Sequence, residues 1–481
     1  MRIPPVDPAS PLPLEDGRFV LPRPIMRIPR DRSRPASLGL VLLLGACSTY
    51  PDRTAEPFRD FQRGHLGGAL AGYADEDEVG SEFLSGAEAG MVAFTAGDWS
   101  RAQNELGMAA AEAQDIEGRA LANPERLGET LASWAVNDTA RSYEGEGFER
   151  VYVHALLAQT YLAQGLLEDA GVEARRANEL LESEEELYDT RYRAGGLGHF
   201  MSALVYELMG EPDQAFIDYR RMEEKGLGAQ LAGSALVRLA SQLHRDDTTL
   251  LVGRHGPELV RPRGAANVVV IAGVGLGPYK VEGRLPIPTR DGLIPIAVPD
   301  YEFRTQLVRG LRLVDLESGA GVLTERLEDV SNVASRNLKH RIAWITSKSV
   351  ARGVLKREVS KALRHHFGEL GFLVGNLYAF FSERADLRCW RTLPDTWQAC
   401  RLFVPPGVRS FHLEALGGQS RYLGSFALDP GETLLVFART VGTRLHAHVV
   451  GGRPVLAGDD SMPFVLPNAE LLTTPSTPST R

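Results

Sequence analysis

The sequence predicts an α+β protein of several domains: a helical-repeat half over residues 81–245, then a β-rich, sandwich-like half over residues 266–470 carrying a helical insertion at 327–382. Three observations predict it. Small and aromatic residues recur three times at one fixed spacing in the first half. Runs rich in Val, Ile and Leu, bounded by Gly, Pro and Asp turns, dominate the second. At 481 residues the chain also exceeds what one ordinary core accommodates.

Ahead of both halves, residues 1–46 read as an export signal with an N-terminal extension. From Met26 onward, Arg27, Arg30, Arg32 and Arg34 form a positive stretch, and Leu38 to Leu44 an apolar core of signal-peptide length. That core is far short of the roughly 20 residues a spanning helix needs. Leu44, Gly45 and Ala46 then lead into Cys47, and Leu44-Gly45-Ala46-Cys47 resembles a lipobox, the pattern read by the lipoprotein signal peptidase. The resemblance implies that the Cys47 thiol takes a diacylglycerol, that the chain is cut before it, and that the new amine is acylated, for example with palmitate. Several acyl chains anchor stably, because each buried CH₂ contributes about 0.8 kcal/mol. Residues 1–25 are proline-rich, and Met26-Arg27-Ile28-Pro29 repeats Met1-Arg2-Ile3-Pro4, so Met26 is read as the start and 1–25 as a non-native extension. Ser48 after the cysteine implies outer-membrane sorting under the enterobacterial rule. Residues 47–80 are read as a lipidated tether.

The helical half carries Gly90, Ala93, Gly97, Ala102, Leu106 and Ala109; then Ala158, Tyr161, Gly165, Ala170, Ala174 and Ala177; then Ala203, Tyr206, Gly210, Ala215, Tyr219 and Met222. The offsets are identical in each set and resemble the tetratricopeptide repeat, a helix-turn-helix unit. Small residues let two helices approach, the glycine ends the first helix, and the last three positions share one face of the second. Stacked pairs form a concave surface that either binds a partner or packs the β half. Arg175, in the polar stretch Glu173-Ala174-Arg175-Arg176, is read either as a partner contact or as part of a solvated face.

Residues 246–265 are polar and read as a linker. Asn267 to Ala272 follows as a buried strand running into Gly273-Val274-Gly275-Leu276-Gly277. A phosphate-binding reading of those glycines fails, since Pro278 and the β-prone Tyr279 to Gly283 stand where a helix is needed. Further strands are expected at Ile294–Val298, Leu311–Leu316, Val408–Ala415, Arg421–Ala427 and Thr433–Thr440. Cys389 and Cys400 either pair in an oxidising periplasm or remain buried thiols. His365-His366 and His446-Ala447-His448 lack companions at ligand spacing, so no metal is assigned. Residues 471–481 are low-complexity and read as a disordered tail.

Several short motifs share an order: Gly97-Asp98-Trp99, Asn137-Asp138 to Tyr143, Phe148-Glu149, Val172-Glu173-Ala174-Arg175-Arg176, Gly277-Pro278-Tyr279-Lys280, Val298-Pro299-Asp300-Tyr301, and Ala385-Asp386-Leu387-Arg388-Cys389-Trp390 with Leu393-Pro394. This order resembles a family of uncharacterised proteobacterial lipoproteins with tetratricopeptide-like repeats. The resemblance implies no established activity. Cys389 departs from the small polar residue more common there. Arg388 and Trp390 are read either as a partner contact or as an Asp–Arg pair and a core tryptophan holding the insertion to the sheet.

The formal net charge of -9, with no long basic block, argues against nucleic-acid binding. No Gly-x-Ser-x-Gly elbow, His-Glu-x-x-His or Ser-x-x-Lys with its companions occurs, so no catalytic residue, cofactor or small-molecule ligand is assigned. The expected function is an adaptor: an outer-membrane-anchored periplasmic lipoprotein, held through Cys47, that binds an envelope protein. The alternatives are a peptidoglycan- or glycan-binding module using Trp390 or Trp397, and a cell-envelope hydrolase.

Overall fold

Glycine sets the rhythm of the helical half. α5 (Glu82–Ala96), α7 (Gly147–Ala163) and α9 (Gly196–Met209) each run into a left-handed glycine, at Gly97, Gly165 and Gly210, with φ of +78°, +77° and +77°. All three turns have the same hydrogen bonds. The glycine N–H donates to Phe94, Leu162 and Glu207, and the next residue's N–H to Ala93, Tyr161 and Tyr206. This is a Schellman cap, and only glycine takes its backbone conformation without strain. The fixed spacing in the sequence is thus a cap repeated three times.

A computed structural model describes residues 49–121, 143, 145–187, 194–257, 264–289, 292–355 and 385–455. After each capped turn a second helix packs back: α6 (Trp99–Leu121), α8 (Leu167–Leu187) and α10 (Pro212–Lys225). Ala102, Leu106, Ala109, Ala170, Ala174, Ala177, Ala215, Tyr219 and Met222 are all fully buried on these helices. The small residues do what their spacing implied: a Cβ on Gly90 would come within 2.6 Å of Leu106. α11 (Ala229–Gln242) and α12 (Thr248–His255) extend the array.

Two stretches read as a tether and a linker contain helices. Residues 49–79, read as tether, form α1 (Tyr50–Arg53), α2 (Ala55–Arg63), α3 (Leu66–Tyr73) and α4 (Glu76–Val79). Tyr50, Phe58, Phe61, Tyr73 and Val79 are buried in the main core, and their apolar area holds a segment whose glycines and charges resemble a linker. In the region read as linker 246–265, α12 buries Leu251, and Arg254 and His255 pair with Glu223 of α10 at 2.8 and 2.6 Å.

The β half is a sandwich. One sheet has the order β11-β10-β1-β7-β6, with β1 (Ala266–Val274) parallel to β10 (Thr433–Val441) and antiparallel to β7 (Thr396–Val404); β6 (Glu325–Asp329) and β11 (Arg444–Val450) are its edges. The other has the order β12-β9-β8-β4-β5, from β4 (Leu311–Asp315), β5 (Gly321–Leu323), β8 (Gly407–Ala415), β9 (Ser420–Leu428) and β12 (Arg453–Pro454). β2 (Tyr279–Thr289) and β3 (Gly292–Glu302) pair as a separate ribbon. Val268, Val270, Ala272, Leu434, Val436 and Ala438 point between the sheets, while Val269, Ile271, Leu435 and Phe437 join the helical core. The helical core therefore continues onto one face of this sheet, while a second apolar cluster fills the space between the sheets.

The insertion begins as α13 (Val330–Leu355). Its continuation to 382, residues 1–48 with the export motif, and the tail 471–481 lie outside the described residues. Among the described residues no helix is long and apolar enough to cross a membrane.

Candidate functional site

The helices that open each pair face the sheet, and carboxylates on them bind the β half. Glu88 sits mid-way along α5, in the apolar run Ala87-Glu88-Ala89-Gly90. It accepts from the Tyr50 hydroxyl at 2.8 Å, the Arg391 N–H at 2.6 Å and the Thr392 N–H at 3.0 Å. Glu149, in the first turn of α7, accepts from the Tyr143 hydroxyl at 2.7 Å, the Glu146 N–H at 2.9 Å and the Trp390 N–H at 2.7 Å. Two helices thus grip one short segment, 390–392, through its backbone. Glu207 of α9 pairs with Arg401 of β7 at 2.9 Å and with Arg238 of α11 at 2.7 Å.

The same device works in reverse. Glu328 of β6 accepts from the N–H groups of Gly195 and Leu197 at the start of α9, and Glu325 from those of Gln230 and Leu231 at the start of α11. A carboxylate there satisfies orphan amides and meets the positive end of the helix dipole.

At the centre of the seam lies Lys280, 4% exposed, whose ammonium donates to Glu146. Arg341 of α13 donates to the other Glu146 oxygen at 2.6 Å. The rings of Tyr143 and Tyr301 flank the ammonium at 5.4 and 5.9 Å, within cation–π range. Arg388 stacks over the Tyr143 ring at 5.2 Å and holds Asp386 through two parallel bonds of 3.0 Å.

Titration follows from this placement. Burial alone would raise Glu146, but the charges of Arg341 and Lys280 outweigh it and hold the carboxyl at about 2. Burial pushes Glu149 up to about 7; Lys280 opposes that and the Glu146 charge adds to it. Burial also raises Glu88 and Glu328, and pushes the Cys389 thiol up to about 12. Burial works against the Lys280 charge, yet Glu146, Asp386 and Glu149 together raise its pKa. Glu149 therefore titrates in the range of a general base. Its oxygens are already engaged by three donors, and its immediate work is to hold the Trp390 backbone.

Five of the seven short motifs meet here, while Gly97-Asp98-Trp99 and Val172 to Arg176 lie elsewhere. Tyr143, Glu149, Lys280, Tyr301, Asp386, Arg388 and Trp390 all belong to the cluster. Of the two readings of Arg388 and Trp390, the geometry fits the Asp–Arg pair with a core tryptophan and not an exposed partner contact: Arg388 is 8% and Trp390 2% exposed, Arg388 pairs with Asp386, and the indole N–H of Trp390 donates to Thr392 at 3.0 Å. Trp397 is fully buried, so neither tryptophan offers a ring to a glycan. Arg175 stays apart on the exposed side of α8, donating to the Tyr206 hydroxyl at 3.2 Å. Of the two readings of the cysteines, buried thiols hold and the disulfide does not: Cys389 and Cys400 are both free and buried, Cys389 in the helix-side core and Cys400 between the sheets. His448 meets the Thr95 carbonyl at 3.0 Å and packs edge-to-face with Trp99. Among the described residues no group of His, Cys, Asp and Glu is placed to hold a metal. Cys47, Leu44, Gly45 and Ala46 lie outside the described residues.

Sequence reasoning missed Glu88, Glu207, Glu325, Glu328 and Arg401. One signal was available: beyond Glu82 in its first turn, α5 is rich in alanine and glycine and carries a single acid, Glu88, and a buried charge requires a partner.

No family model and no curated protein matches the chain. A solved structure described as "Crystal structure of MamA protein" matches at 13% identity with a TM-score of 0.29, covering 43% of this chain and 89% of that one.

Proposed function

We propose that the chain is an outer-membrane-anchored periplasmic lipoprotein, lipidated at Cys47, that serves as a protein-interaction adaptor. We place it with the proteobacterial lipoproteins it resembles and read its helical half as a tetratricopeptide-like array. The observation that carries the adaptor reading is which surface is free. Glu88, Glu149 and Glu207 on the opening helices are committed to the β half. The return helices instead present Met108, Val172 and Ile217, exposed at 43%, 38% and 47%, with Arg175 beside Val172. The partner therefore docks on this outer face, not on the concave one.

The test is cross-linking in intact envelopes with wild type and the Val172→Asp/Ile217→Asp double variant. The expected result is an envelope protein recovered with wild type and reduced about tenfold with the variant, equivalent to about 1.4 kcal/mol of binding. Equal recovery, with both proteins folded, would count against the outer face.

A further inference from the structure

We infer that the folded body has no tether and sits directly on the lipid headgroups, its α1–α4 end facing the membrane. This rests on lipidation at Cys47. Only Ser48 separates Cys47 from Thr49, and the chain is committed to the body from Thr49 onward. The Thr49 hydroxyl and N–H bond the Asp52 carboxylate at 2.6 and 3.1 Å. Tyr50 is 3% exposed and donates to Glu88. Thr54 is fully buried, and Arg391 reaches across from the β half to its hydroxyl at 3.1 Å and to the Pro51 carbonyl at 3.3 Å. Two residues of fully extended chain span about 7 Å. Acyl chains on Cys47 lie in hydrocarbon, so the start of α1 is held at headgroup depth.

The neighbouring surface is defined by contacts. α1 packs against α4, and the Arg53 guanidinium lies over Gly80, where an added Cβ would meet it. Around this end Asp52, Glu56, Asp75, Glu76, Asp77 and Glu78 are exposed. Asp75, Glu76 and Asp77 line a shallow depression of about 470 Å³ with Ala71 and Ala74. Arg59 and Arg63 on α2 are exposed too, but acids outnumber bases here, so anionic headgroups would repel this end within a Debye length of about 8–10 Å. The matching partner is therefore a zwitterionic lipid surface. Successive helices from α5 to α12 pack each on the next, so Leu250 on α12, 63% exposed, lies at the far end of the array.

The experiment uses acylated protein purified from membranes and placed in phosphatidylethanolamine/phosphatidylcholine vesicles. Cys389 and Cys400 are each 2% exposed, so a fluorophore goes to an added cysteine, Glu56→Cys or Leu250→Cys. With nitroxide-headgroup lipids as quencher, position 56 is expected to be quenched at least about fivefold more than position 250. An insertion of about 20 Gly/Ser residues between Ser48 and Thr49, spanning about 25 Å, is expected to erase the difference. Equal quenching at both positions in the native-length chain, or a difference that survives the insertion, would overturn the docking. Mass analysis of Cys47 separates the premises: an unacylated cysteine overturns the anchor itself, whereas equal quenching on an acylated one overturns only the flush placement.

Discussion

The central sheet has two faces built on different physics. Between the sheets, β1 and β10 contribute Val268, Val270, Ala272, Leu434, Val436 and Ala438, and the contact is an apolar layer. Toward the helices, the same strands contribute Val269, Ile271 and Phe437, but also Arg439, fully buried and bonded only to carbonyls of Gly273, Gly275, Thr440 and Thr392. β7 adds Arg401, and the helices answer with Glu88, Glu149 and Glu207. An apolar layer stabilises in proportion to area, through contacts that have no required direction. A seam of buried charges contributes little net stability but makes every misregistered arrangement expensive. The expectation is that the sandwich contributes stability in proportion to its apolar area, and that the seam fixes how the helical array sits on the sheet.

The strongest way to break this contrast is to remove a charge from the seam. Lys280→Met leaves Glu146 and Glu149 buried with one cation fewer and is expected to cost about 3–5 kcal/mol. Urea unfolding measures it as a lower midpoint with an unchanged slope. A loss under about 1 kcal/mol would mean that the seam is hydrated and that its charges do not enforce register.

Next in size is the effect of pH. Glu149 has a folded pKa of about 7 against an ordinary 4.5, so the folded state binds the extra proton between those values. Its contribution is unfavourable above pH 7 and is relieved as pH falls toward 4.5, by on the order of 3 kcal/mol. Glu88 and Glu328, also raised by burial, act in the same sense. Glu146 acts oppositely: held at about 2, it stabilises above pH 4.5, and that stability is lost as pH falls toward 2. Stability is therefore expected to rise from pH 8 to about pH 5 and to collapse in stronger acid. Glu149→Gln should flatten the upper limb and leave the acid limb in place.

How much of this was legible depends on whether the cause is local. The three capped helix ends were, because a Schellman cap favours glycine at one position, and Gly97, Gly165 and Gly210 declare it. The six expected strands lie in β1, β3, β4, β8, β9 and β10, or overrun their ends by one residue. β7 was missed because Gln398 and Arg401 interrupt its apolar run, and both find partners only in the folded state, in Thr324 and in Glu207. The seam was illegible in kind. Glu88 and Thr392 are 304 positions apart, and the group that Glu88 binds is a backbone N–H, which every residue but proline carries. The motifs around Lys280, Tyr301 and Arg388 could be seen one at a time, but nothing local says that they converge.

The sandwich offers the control. Val436→Ala in the apolar layer is expected to cost about 2 kcal/mol, from lost methyl groups and the void they leave. Because no titrating group is removed, this loss should be the same at pH 5 and pH 8. A pH-dependent loss would show that the two faces are coupled through the strand and weaken the division between them.

The smallest expected effect on stability has the most bearing on function. Arg175 is exposed and makes one bond, to the Tyr206 hydroxyl, so Arg175→Ala should shift stability by less than about 0.5 kcal/mol. If the outer face of the return helices is where the partner docks, the same change should reduce cross-linked capture from the envelope while the melting temperature stays put. Arginine is among the residues most often found at interface hot spots, where truncation costs more than 2 kcal/mol, and it rarely contributes that much on a solvated helix. Unaltered capture and unaltered stability together would assign Arg175 to the solvated surface and move the docking face elsewhere.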